Sequence, residues 1–192
     1  MRLFYDLDHT FSFCSFQMSE TVTTVTTKTS TLPLAHAELG GKIALGAGAL
    51  LLGAFAYSTS KDWYESLNKP SWLLSPGWSS FFWVVFFIIF VWVWYRSSLI
   101  APGTYVDTTL GWTLILLIAW MVAFFIVRSV AWARWFLLIA AILMLIHTVR
   151  VWKYDTGQGV FSLLATLWLA YSTVAMFNIT DDSVPSDIGT TV

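Results

Sequence analysis

One cysteine, Cys14, stands in a chain of 192 residues, so neither an internal disulfide nor a cysteine-based metal cluster can form. Charge is scarce too, with 10 basic and 11 acidic side chains and a formal net charge of −1. That leaves no concentrated basic face and excludes nucleic acid as a partner. No carboxylate falls inside a long apolar run, the place where ion-coupled transporters and proton pumps carry one, which disfavours the transporter class. Also missing are a phosphate-binding glycine loop, an HExxH pair and a nucleophile elbow. No metal site is expected.

Apolar residues are what the chain has instead. They make up 57% of it, and the mean hydropathy is +0.71. Crossing about 30 Å of hydrocarbon takes roughly 20 residues of helix. Five stretches meet that length: 39–57, 81–100, 110–127, 135–152 and 160–179. None alternates as a barrel strand does, and backbone groups in lipid must be satisfied within the segment, so each is read as a helix. The expected fold is an all-α integral membrane protein, a five-transmembrane-helix bundle with a structured first loop and no separate soluble domain.

Flanking segments divide the chain further. Residues 1–38 form a Ser/Thr-rich tail expected to be disordered, 39–180 the membrane domain, and 181–192 an acidic, frayed C-terminal tail. The aromatic start is broken by Asp6, Asp8 and His9 and lacks the pattern of a signal peptide. Gly40, Ala44 and Gly48 share one face of the first helix, and Ala49 and Gly53 form a second small pair; such faces let helices approach closely in lipid, and packing within one chain is favoured over a dimer contact. The Pro102-Gly103 turn precedes the third helix, which Thr108 or Thr109 is expected to cap. Basic residues near helix ends divide five to four between the two sides, Lys28, Lys42, Arg96, Arg150 and Lys153 against Lys61, Lys69, Arg128 and Arg134. That balance sets no orientation.

His147 and Arg150 share a face near the end of the fourth helix. They suit either a ligand carboxylate or, for His147, a haem iron, but both are expected to snorkel to the interface. Arg134-Trp135-Phe136-Leu137 matches a loose sterol-contact pattern. Trp92, Trp94, Trp112 and Trp152 read as interfacial belt residues. The segment from Trp63 to Trp83 does not. It holds four tryptophans, two prolines and the Trp63-Tyr64 pair, far more than a connection requires. Tryptophan carries a large contact area and one N–H donor, so the cluster suggests a lid over an apolar pocket for flat ligands.

Within that segment Trp63, Tyr64, Leu67, Lys69, Pro70 and Trp72, followed by a proline-containing turn and by Trp83 in the second helix, resemble the signature of the translocator protein or tryptophan-rich sensory protein family (TspO/MBR). A second block, Trp120, Phe124, Phe125, Arg128 and Trp132, is similar to the family's third helix. Together they cover about residues 40–180. Thr113 and Leu117 depart from the family's Gln and Asn, so two polar pocket contacts are lost. In the fifth helix, aligning Asn178 puts Ala170 at the family's tryptophan position, whereas aligning Trp168 and Tyr171 moves Asn178 out of register. Both registers stay open. The sterol-recognition stretch that follows this helix in animal members is absent from 179–182.

The resemblance implies a homodimer surrounded by membrane lipid that requires no cofactor and takes a porphyrin, protoporphyrin or haem, or a sterol, beneath the first loop. It points to Tyr64, Leu67, Pro70, Trp72, Trp83, Trp120, Phe124, Phe125, Trp132 and Ala170 as ligand-binding, with Arg128 or Lys69 meeting ligand propionates at the rim. In some bacterial members porphyrin is degraded in light, which makes Trp83 and Trp168 the candidate catalytic residues. An indole is a plausible electron donor but no general acid or base, so the resemblance leaves enzyme status open.

Overall fold

The computed structural model describes residues 32–100 and 105–180. The Pro102-Gly103 turn, the acidic tail from 181 and most of the Ser/Thr-rich tail lie outside the described residues. The chain divides into two compact units, Met1–Gly41 and Lys42–Val192. The described part of the first is the opening of helix α1, Leu32–Thr59, which starts earlier than the expected residue 39. The second holds the remainder of α1, the short α2 Lys61–Ser66, α3 Pro76–Ile100, α4 Tyr105–Met121, α5 Val130–Val151 and α6 Thr156–Asn178. Among the described residues there is no strand, only an isolated antiparallel bridge between Asn68 and Thr180.

Among the described residues, five helices are long and apolar enough to cross a membrane: Ala37–Thr59, Pro76–Ile100, Thr108–Ile126, Val130–Val151 and Thr156–Asn178. Apolar residues occupy their outer faces as well as the core. Leu51, Ile88, Ile115 and Leu167 are all exposed, as lipid-facing side chains are. The protein is a multi-pass integral membrane protein. Inside, Phe86, Phe90, Leu110, Leu117, Leu137, Met144 and Leu169 are fully buried.

Packing order follows from contacts. Helix α5 lies between α4 and α6, and α3 packs on α6 and more lightly on α4. Glycines let α1 approach the same group. A Cβ on Gly46 would stand 2.5 Å from Val91 Cγ2, and one on Gly53 would stand 3.0 Å from Met121 Sδ. Ala49 and Ala56 are buried on the same side. The expected Gly40–Ala44–Gly48 face is not the packed one: Gly40 and Gly48 have open space beside them.

Helix ends depend on side chains. Ser129 caps α5, and Asp155 caps α6 by accepting the Gln158 N–H at 3.1 Å. Thr108 and Thr109 do not cap α4, because the helix already begins at Tyr105. At its other end α4 widens into a π-helical turn, Val122–Ile126, closed by the Val127 N–H on the Val122 carbonyl at 2.9 Å. Arg128 then takes φ 58°, the left-handed region that reverses a chain after a helix.

His147 corrects the sequence expectation. It is completely buried, with Nε2 3.0 Å from Ser97 Oγ and Nδ1 3.3 Å from Ser162 Oγ. Gln158 Nε2 donates to the same Ser97 hydroxyl at 2.7 Å and to the Val93 carbonyl at 3.0 Å. Partners from α3 and α6 hold the imidazole inside, so it does not snorkel, while Arg150 is exposed. This network joins three helices at the end of the bundle opposite the first loop.

Candidate functional site

The first loop is fixed at both ends. Where α1 meets α2, the Ser60 hydroxyl donates to the Phe125 carbonyl at 2.5 Å, tying the loop to the π-turn. After α2, Leu67 turns the chain into an extended conformation with its side chain buried. Asn68 and Thr180 then exchange two backbone hydrogen bonds of 3.1 Å, and this pins the loop to the end of α6. Pro70 accepts the Leu73 N–H at 3.0 Å, and the Leu74 N–H donates to the Tyr171 hydroxyl at 3.1 Å. Pro76 opens α3, a position where its missing N–H costs nothing.

Beneath this loop lies a cavity of about 470 Å³, inside the roughly 300–1,000 Å³ range of small-molecule sites. Residues of α1, α2, α3, α4 with its π-turn, and α6 line it, together with Leu73 and Ile179; α5 contributes none. Aromatic rings form one continuous wall. Trp168 stacks on Tyr171 (centroids 5.4 Å apart, planes at 27°) and meets Trp83 edge-on at 5.7 Å. Trp83 stacks on Trp120 at 5.0 Å and 22°, and Trp120 lies parallel to Phe124 at 6.3 Å and 11°. Phe124 receives the edges of Trp63 and Tyr64 at 5.2 and 6.1 Å. The π-turn thus carries two successive rings, Phe124 and Phe125, in the lining.

Polar side-chain chemistry in the wall consists of hydroxyls from three tyrosines and three serines and the indole N–H groups of Trp83, Trp120 and Trp168, of which those of Trp120 and Trp168 are buried without a partner. No charged side chain lines it among the described residues. Burial, with Tyr57 and Tyr171 nearby, pushes the Tyr64 phenol above its ordinary value, so it stays neutral at physiological pH. Lys69 is not turned toward the cavity. Its ammonium donates to the Tyr64 and Glu65 carbonyls at 2.5 and 3.2 Å and sits 4.4 Å from the Tyr64 ring centre. It caps α2 instead of waiting for a propionate. Arg128 is exposed and outside the lining. Arg134 donates to the Met176 and Ile179 carbonyls at 3.2 and 2.5 Å, which commits the sterol-pattern arginine to the end of α6.

Tyr64, Trp83, Trp120, Phe124, Phe125 and Trp168 are brought together around the cavity. Leu67, Pro70, Trp72, Trp132 and Ala170 are not in its wall. Leu67 and Pro70 shape the loop, and Trp72 is 48% exposed with its edge on Tyr171 at 5.8 Å. Trp132 lies on the outer face of α5, 64% exposed and stacked on Phe136. The sequence reading missed Tyr57, Met121, Tyr171 and Met176 as lining residues. Of these only Tyr171 carried a signal, its place beside Trp168 in the fifth-helix block.

A sequence model of the TspO/MBR family matches residues 42–180. The chain belongs to the TspO/MBR family. No curated protein matches it. Membership supports a membrane receptor-like or transporter role. In this TspO/MBR chain Trp168 lines the cavity, and Ala170 is exposed on the opposite side of α6. The TspO/MBR match begins at Lys42 and so includes every residue that lines the cavity.

Proposed function

We propose that this TspO/MBR protein is a receptor-like binder of flat polycyclic ligands, tetrapyrrole or sterol in class, held in the cavity beneath the first loop. The observation that carries this reading is the unbroken aromatic wall from Tyr171 through Trp168, Trp83 and Trp120 to Phe124. A flat ligand gains roughly 0.5–1.5 kcal/mol per aromatic partner beyond area burial. The protein works as a homodimer in this reading, with the exposed small residues Ala44 and Gly48 allowing close approach of a second copy. Transport would require the opposite end, closed by His147, Ser97 and Gln158, to open as well. With a bound porphyrin excited by light, Trp83, stacked on Trp120 and edge-on to Trp168, gives it one electron, leaving an indole radical cation and a porphyrin radical anion, and dissolved dioxygen is the oxidant that then bleaches the ring.

The test is titration of the protein in lipid nanodiscs with protoporphyrin, as diacid and as dimethyl ester, followed by tryptophan fluorescence. Saturable quenching that weakens several-fold in Trp83→Phe is expected. Absence of saturable quenching with either porphyrin overturns the binding reading. Illumination of the complex should bleach the porphyrin in the wild type and spare it in Trp83→Phe. Equal bleaching in both removes Trp83 from the chemistry.

A further inference from the structure

Resting on the reading that the cavity binds a flat ligand, we propose that Arg134 is a positioning residue for that site. From outside the cavity it holds the first loop closed, and so sets how fast a ligand enters and leaves. Helix α5 supplies no lining residue, yet its Arg134 reaches the end of α6. The half-buried guanidinium donates to the Met176 carbonyl at 3.2 Å and to the Ile179 carbonyl at 2.5 Å. It also lies 5.9 Å from the Phe177 ring centre.

The last carbonyls of a helix have no partner within it, and a planar, permanently charged fork can gather two of them at once. Here that fixes the path of the chain as it leaves α6. Ile179 turns extended, with φ −83° and ψ 130°. Its side chain and that of Met176 are buried and line the cavity. Thr180, the next residue, exchanges two backbone hydrogen bonds of 3.1 Å with Asn68 of the loop. Arg134, Ile179, Thr180 and Asn68 therefore form a continuous chain of bonded groups from α5 to the loop.

No other cation of the loop region duplicates this role among the described residues. Lys69 is turned to the Tyr64 and Glu65 carbonyls, Lys61 pairs with Glu65 at 3.8 Å, and Arg128 is exposed. The bonds from Ser60 to the Phe125 carbonyl and from Leu74 to Tyr171 hold the loop at other points.

The first readout is amide hydrogen exchange on the ligand-free protein in nanodiscs. Arg134→Met keeps an apolar stem and removes both donors. Asn68 should then exchange roughly tenfold faster, since a hydrogen bond from a charged donor is worth about a decade in an equilibrium constant. Arg134→Lys, whose cation lacks the planar fork, should show the same effect more weakly. His147→Leu, which loosens the opposite end of the bundle, should leave Asn68 unchanged because the two sites share no partner; an equal rise there would mark a general loss of stability and overturn the latch. The second readout is stopped-flow mixing with protoporphyrin dimethyl ester. Association and dissociation should both quicken several-fold in Arg134→Met while affinity moves less, because an opened loop eases passage in both directions. Thr180→Pro deletes the N–H donated to Asn68, and Ile179 already has the extended backbone that precedes proline. If Arg134 acts through that bridge, the double variant should be no faster than Thr180→Pro alone. Unchanged exchange at Asn68 in Arg134→Met, ligand rates that do not move, or effects that add in the double variant would each overturn the proposal. A wild type that binds no porphyrin overturns the binding reading instead, and the exchange readout still decides whether Arg134 holds the loop.

Discussion

Replacing Tyr171 with phenylalanine tests whether the first loop behaves as one latched lid. The substitution keeps the ring that stacks on Trp168 at 5.4 Å and meets Trp72 at 5.8 Å, and it deletes only the oxygen that accepts the Leu74 N–H. A partly buried donor that loses its partner costs about 1 kcal/mol. That raises the population of the opened loop about fivefold. The assay is amide hydrogen exchange on the ligand-free protein in nanodiscs. If the loop moves as a unit, Leu74, Leu73 and Asn68 should all exchange about fivefold faster, since the bonds of Asn68 to Thr180 and of Leu73 to Pro70 break in the same opening. Faster exchange at Leu74 alone, with Asn68 unchanged, would refute the single-lid account.

Three further outcomes follow from the packing. His147→Leu removes both bonds to Ser97 and Ser162. Interhelical hydrogen bonds in membranes are worth about 0.6 kcal/mol, up to about 1.7, so about 1–3 kcal/mol should be lost in detergent unfolding with little change in ligand affinity; unchanged stability would contradict the network. The Asp155 carboxyl is held below its ordinary range first by the Gln158 N–H, then by the Arg96 hydrogen bond and the Gly157 N–H. Its contribution is therefore present above the ordinary carboxylate pKa and lost as pH falls through the depressed one, so acidification below about pH 4 should lower the melting temperature less in Asp155→Asn, which keeps a capping side chain, than in wild type. A Cβ on Gly159 would stand 2.6 Å from Trp152 Cε3 and 3.2 Å from its Cα, while one on Gly48 meets nothing within 4 Å. Gly159→Ala should cost roughly 1–3 kcal/mol, as read by thermal melting.

Length and hydropathy alone made the five spans legible, because crossing lipid demands a continuous apolar helix and few other sequences supply one. The ordered first loop was legible too, from tryptophans and prolines that a plain connection does not need, although of its four tryptophans only Trp83 lines the cavity. Rotation of each helix about its axis was not. Trp120 and Trp132 both belong to the second aromatic block, yet Trp120 is buried in the cavity wall and Trp132 faces outward, a difference set by neighbours remote in sequence. The same holds for α1, where two small-residue faces look alike until Val91 and Met121 show which one is packed. His147 looked like an interfacial residue because its partners lie on α3 and α6. Lys69 looked available to a ligand because a helix C-terminus competing for its ammonium cannot be read from spacing.

The central claim is that a flat ligand enters the cavity beneath the first loop. A structure of the protein with protoporphyrin dimethyl ester bound tests it most directly. The ring is predicted to lie against Trp83, Trp120 and Trp168, with Tyr171 within hydrogen-bonding reach of an ester oxygen. A ring found on the outer face of α5 beside Trp132 and Trp135, with the cavity empty, would contradict the account.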